Sequence, residues 1–107
     1  METNYVKEVA ATILNQLGGK RFAMFTGAHS FACRLNQNGN PELQFKLQEC
    51  DYLKDNINMV RIELGVMDLY NMYFFSGELI QVKNYDGVYW DNLEELFTEA
   101  TGLLTHF

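Results

Sequence analysis

Met59-Val60-Arg61-Ile62-Glu63-Leu64 opens residues 58–85, the stretch whose reading decides the fold. Val60, Ile62 and Leu64 share one face of an extended chain, and Arg61 and Glu63 take the other, because side chains alternate across a strand. Leu69-Tyr70-Asn71-Met72-Tyr73-Phe74-Phe75 and Leu79-Ile80-Gln81-Val82-Lys83-Asn84-Tyr85 follow, with Gly65 and Ser76-Gly77 at the joins. Three strands joined by tight turns predict an antiparallel meander. A sheet with an apolar face must bury it, and the chain supplies one amphipathic helix at each end for that purpose.

Upstream, residues 3–17 carry Val6, Val9, Ala10, Ile13, Leu14 and Leu17 in a single stripe at the helical period. Thr3 or Asn4 is the expected N-cap, and Gly18-Gly19 the stop. Residues 21–26 read as a strand with Phe22, Met24 and Thr26 on one face, followed by a Gly27-Ala28 turn. Residues 29–35 alternate again, bringing Phe31, Cys33 and Leu35 together. Asn36-Gln37-Asn38-Gly39-Asn40-Pro41 is the densest turn signal in the chain. Residues 43–47 return with Leu43, Phe45 and Leu47 inward, and the polar, aperiodic residues 48–56 read as a loop with room for one helical turn.

Downstream, Asp86-Gly87 leads into a second helix over residues 89–101, with Tyr89, Leu93, Leu96, Phe97 and Ala100 as its apolar stripe. Gly102 stops it, and Leu103-Leu104 folds back on the last turn. The expectation is a single α+β domain over residues 1–107. Its antiparallel sheet has about six strands, with the N- and C-terminal helices packed on one face. Strand residues 69–75 are apolar on both sides, so a second copy of the chain in a homodimer is the expected cover for the outer side.

The 107 residues suit one domain. Hydrophobic residues at 48% and charged residues at 21% are those of a chain that folds, not of a disordered one. The N-terminus lacks the basic and apolar regions of a secretory signal, and no apolar run approaches the roughly 20 residues that cross a bilayer. With two cysteines, Cys33 and Cys50, and no disulfide framework, a cytoplasmic location without membrane attachment is expected.

Net charge is −6, and it is concentrated. Residues 1–83 hold eight Lys/Arg against nine Asp/Glu, whereas residues 84–107 hold Asp86, Asp91, Glu94, Glu95 and Glu99 with no Lys or Arg. Such a surface disfavours nucleic acid and anionic membranes and favours a basic partner.

No catalytic, metal or cofactor motif stands out. His29 and His106 are the only histidines, and neither forms a ligand pair with Cys33 or Cys50 at metal-binding spacing. Cys33 reads as a small buried hydrophobe. Gly18-Gly19-Lys20-Arg21 follows a helix and precedes the expected strand, the reverse of a phosphate loop.

The functional expectation is therefore a non-catalytic protein that binds a partner with a basic surface through Asp91, Glu94, Glu95 and Glu99. Tyr70, Met72, Phe74 and Trp90 form an expected aromatic interface. One alternative is a single-stranded nucleic-acid binder stacking bases on Tyr70, Phe74 and Trp90, which requires Lys20, Arg21, Arg34 and Lys83 to converge beside them. The other is a small carboxylate-dependent hydrolase using Asp68 or Asp86, which requires a concave pocket around them.

Phe25-Thr26-Gly27-Ala28, Met67-Asp68-Leu69-Tyr70, Gly87-Val88-Tyr89 with Leu93, and Phe97-Thr98-Glu99-Ala100-Thr101-Gly102-Leu103 together carry a resemblance. Over most of its length the chain resembles small uncharacterised proteins encoded by bacteriophages and other bacterial mobile elements. The resemblance implies an accessory role, such as inhibition of a host nucleic-acid-handling or defence protein, and transfers no catalytic residue.

Overall fold

The computed structural model describes residues 2–48 and 53–105. Cys50 and His106 lie outside the described residues. The order is α1 (Glu2–Leu17), α2 (Lys20–Thr26), β1 (His29–Leu35), β2 (Pro41–Lys46), β3 (Ile57–Leu64), β4 (Tyr70–Ser76), β5 (Ile80–Val88) and α3 (Leu93–Thr101). Single 3-10 turns at Lys54–Asn56, Val66–Asp68 and Trp90–Asn92 join some of them. The five strands run antiparallel in the order β1-β2-β3-β4-β5, a meander extending the one legible in residues 58–85. This is the α+β architecture expected.

α1 begins at Glu2, so Thr3 and Asn4 lie inside its first turn rather than capping it. Val6, Val9, Ala10, Ile13 and Leu17 are buried as the stripe requires. Gly18 and Gly19 donate back to Asn15 and Leu14 and stop the helix at positive φ.

Residues 21–26 are the main correction: they belong to the short helix α2, not to a strand. Phe22 and Thr26 are four residues apart and share the buried face of α2, and the Thr26 hydroxyl donates to the Phe22 carbonyl at 2.7 Å. Met24, expected beside them, is 83% exposed. Gly27, at φ 70, is the C-cap and donates to the Ala23 carbonyl at 3.0 Å. Seven residues satisfy either period when only two of their apolar positions are buried, and tertiary packing decides. Here Phe22 meets Phe97 edge-on at 4.9 Å and Phe45 at 5.3 Å, joining α2 to α3 and β2.

The register sorts the sheet into two faces. Leu43, Phe45, Val60, Ile62, Tyr70, Met72 and Phe74 point at the helices and form the core with Ile13, Leu17, Leu93 and Phe97. β1 is an edge strand, so its inward residues are only partly covered: Phe31 stays 39% exposed although its ring sits 5.6 Å from Phe45. The opposite face, with Arg34, Glu42, Gln44, Arg61, Glu63, Asn71 and Tyr73, has no helix over it among the described residues.

Both edges are irregular. β1 bulges between His29 and Ala32, and β5 inserts an extra residue against β4 twice. Bulges twist an edge away from flat pairing, a common protection against strand addition by another chain.

Candidate functional site

The helix expected to bear the acidic surface is shorter than its pattern. α3 starts at Leu93, and Trp90–Asn92 forms a separate turn before it. Tyr89, expected in the apolar stripe, is 61% exposed, as is Trp90, while Leu93, Phe97 and Ala100 are buried. Asp91, Glu95 and Glu99, spaced four apart, lie on the exposed side. Glu94 differs: it is half-buried, and its carboxylate accepts a 2.6 Å bond from the buried Thr105 hydroxyl. Glu99 accepts from the Tyr85 hydroxyl at 2.9 Å, and Lys54 reaches its carbonyl at 3.2 Å. Gly102, at φ 82, stops the helix as expected. Leu103 packs on the core, but Leu104 is 65% exposed.

The expected aromatic interface does not assemble. Tyr70, Met72 and Phe74 are core residues beneath the helices, and only Trp90 reaches solvent. On the other side of β4, Phe75 is buried under the Arg61 guanidinium, 5.0 Å from its ring centroid. The apolar residues of that strand are thus covered within one chain, which removes the reason for invoking a second copy.

The bases required for single-strand binding are scattered as well. Lys20 and Arg21 sit on α2, Arg34 on the open side of one edge strand, and Lys83 over Tyr85 on the helix side of the other. Tyr70 and Phe74 are closed to a stacking base. Asp68 and Asp86 are both exposed, the latter bonded to Asn84 at 3.2 Å, and the groove that Asp68 lines does not include Asp86. Among the described residues, no His, Cys, Asp and Glu side chains cluster as a metal site.

Beside α1 lies an acidic groove of about 350 Å³, floored by Val9, Leu64 and Tyr70 and rimmed by Tyr5, Glu8 and Asp68. Val88 is the register partner of Tyr70, and the turn beginning at Trp90 packs on α1. The groove and the exposed Tyr89-Trp90 pair therefore occupy the same end of the domain.

Alternation puts Glu63 on the face opposite Val60, Ile62 and Leu64; the structure nevertheless buries it, leaving 2% exposed, beside Glu42 at 3%. The Glu63 carboxylate accepts from the Tyr73 hydroxyl at 2.6 Å, from the Asn71 and Asn40 amides at 3.1 Å each, and from the Asn36 amide. Glu42 pairs with the Arg34 Nε at 2.9 Å and accepts at 3.4 Å from the same Asn36 amide that bonds Glu63. Asn71 in turn accepts from the Gly87 backbone N–H at 3.0 Å. A hydrogen-bonded row thus crosses the whole open face, from Arg34 on β1 to Gly87 on β5. Asn36 organises the loop above it, accepting from the Asn38 and Asn40 backbone N–H groups.

Burial alone would push the Glu63 carboxyl up, but the bonds from Tyr73, Asn36, Asn40 and Asn71 outweigh it and hold the group below its ordinary 4.5. Tyr73 moves the other way, raised well above 10.0 by burial and then by its bond to, and the charge of, Glu63. Both groups therefore stay in one protonation state at neutral pH, suiting a scaffold better than a proton shuttle. Alternation could show that Glu63 faces away from the helices. Its four donors come from a loop and a neighbouring strand, and only the register brings them together.

No protein-family model, curated protein or solved structure matches the chain.

Proposed function

We propose that the protein is a non-catalytic binding module that docks on a basic surface of a protein partner through the end of the domain built by α3 and the turn before it. The observation that carries this reading is the Tyr89-Trp90 pair, each residue 61% exposed, leading directly into the exposed acids Asp91, Glu95 and Glu99. Tyrosine and tryptophan supply much of the energy of protein interfaces, and a surrounding acidic field steers and selects a basic partner. The groove rimmed by Glu8 and Asp68 extends that field, and its Tyr5 wall suits a lysine or arginine side chain. Glu94 is excluded from the contact because it holds Thr105. The phage resemblance directs the search for the partner to bacterial host proteins.

The test is capture from bacterial lysate with mass-spectrometric readout, with and without nuclease, followed by titration of the purified partner. Trp90→Ala and the triple variant Asp91→Asn, Glu95→Gln, Glu99→Gln are run in parallel after circular dichroism confirms folding. A nuclease-resistant partner whose affinity drops at least about tenfold in both variants supports the reading. A partner indifferent to both variants, or one lost with nuclease, refutes it.

A further inference from the structure

The open face of the sheet holds a polar depression of about 270 Å³ under the loop that joins β1 to β2. Its walls include Arg34, Arg61, Asn38 and Gln81, and Glu42 and Glu63 lie at its base. In a chain of net charge −6 with three arginines, two of them border this one depression.

Each guanidinium is held by its inner nitrogen. Arg34 Nε donates to Glu42 at 2.9 Å, and Arg61 Nε donates to the Gln44 side-chain oxygen at 2.8 Å while its Cζ sits over the Phe75 ring. Among the described residues, no hydrogen bond engages the terminal Nη groups of either arginine, which are left for a ligand. The carboxylates below do not compete for that role. Glu42 and Glu63 are closed to solvent, and each Glu63 oxygen already accepts two hydrogen bonds from the chain. A molecule entering the depression therefore meets two oriented guanidinium edges and neutral amides. Planar N–H forks of this kind match the paired oxygens of a carboxylate or phosphate, and forks already fixed in place lose little entropy on binding.

We propose that this depression is a binding site for a small organic oxyanion, a carboxylate or a phosphate ester, held between the Nη groups of Arg34 and Arg61. The site is independent of the acidic docking end: it lies on the other face of the sheet and offers guanidinium N–H groups instead of exposed carboxylates. Asn38 and Gln81 supply neutral hydrogen bonds to the remainder of the ligand, which fits a small metabolite better than a bare ion.

The test is a titration of the intact ¹⁵N-labelled protein with succinate and, separately, with inorganic phosphate. Sodium chloride at matched ionic strength serves as the control. The expected result is a saturable shift of the Arg34 and Arg61 Nε–H signals and the Asn38 and Gln81 amides with at least one probe, and none with chloride. Saturation by succinate alone assigns a carboxylate, and by phosphate alone a phosphate ester. Arg34→Lys and Arg61→Lys, which keep the charge and lose the fork, are expected to weaken binding about tenfold or more. Shifts that rise linearly and follow ionic strength overturn the proposal, as does saturable binding unchanged in both lysine variants. The wild-type titration decides the matter even if a variant does not fold.

Discussion

On one face of the sheet Leu43, Phe45, Val60, Ile62, Met72 and Phe74 pack against the helices; on the other, Arg34, Glu42, Asn36, Glu63, Asn71 and the Gly87 N–H are tied in a row by hydrogen bonds. Both faces join neighbouring strands, but by different physics. Apolar packing is non-directional, grows with buried area and is largely indifferent to pH. The polar row is directional, and its stability depends on the ionisation of a buried carboxylate. The packed face therefore supplies most of the stability, whereas the bonded face fixes the shape of a surface left open to solvent.

Breaking the packed face is expected to have the largest effect. Phe45→Ala removes the ring that Phe22, Phe31 and Phe97 all contact, and should cost about 3–5 kcal/mol in urea unfolding. The urea midpoint should fall with little change in slope. Next comes Glu63→Gln, which keeps the shape but turns an amide NH₂ toward donors arranged around a carboxylate. A loss of about 2–3 kcal/mol is expected, and a loss below about 0.5 kcal/mol would show that water replaces the network.

The same variant sharpens the contrast through pH. The Glu63 carboxyl lies below its ordinary 4.5 in the folded protein, so folding favours the ionised form. Its contribution is full above about pH 4.5 and is lost as pH falls through the folded value. Wild type should therefore lose its stability advantage over Glu63→Gln progressively as pH falls below about 4.5, as read by paired urea titrations. Phe45→Ala should run parallel to wild type across the same range.

Tyr73→Phe removes one donor to Glu63 and should cost about 1–2 kcal/mol near neutral pH. Because the phenol is raised above 10.0 in the fold, its protonated form contributes stability that is full below about pH 10 and lost as pH rises beyond it. The variant should lack that alkaline loss, which thermal melts across the range would show. The smallest effect on stability is expected at Trp90→Ala, within about 0.5 kcal/mol, because the side chain is largely exposed. A larger loss would mean that Trp90 serves the fold rather than a partner.

Much of the packed face was legible residue by residue. The stripe from Val6 to Leu17, the inward Leu43, Phe45 and Leu47, and the buried Leu93, Phe97 and Ala100 all follow from one period or the other. The bonded face was not legible to that depth. Alternation places Glu63 away from the helices but carries no information about which loop folds over it. The residues 36–41 that announced a turn also carry Asn36 and Asn40, whose amides reach across to β3.

By itself the sequence determined the helix at each end, the meander between them, the apolar side of each strand and the crowding of negative charge into the last quarter. These follow from local periodicity and composition, which act over a few residues. Only the tertiary structure decided that residues 21–26 coil rather than extend, that Tyr70, Met72 and Phe74 are buried while Tyr89 and Trp90 are exposed, and that Glu63 is enclosed. Each of those outcomes depends on partners distant in the chain, Phe97 against Phe22 and Asn36 against Glu63, and a local pattern has no term for a contact that folding itself creates.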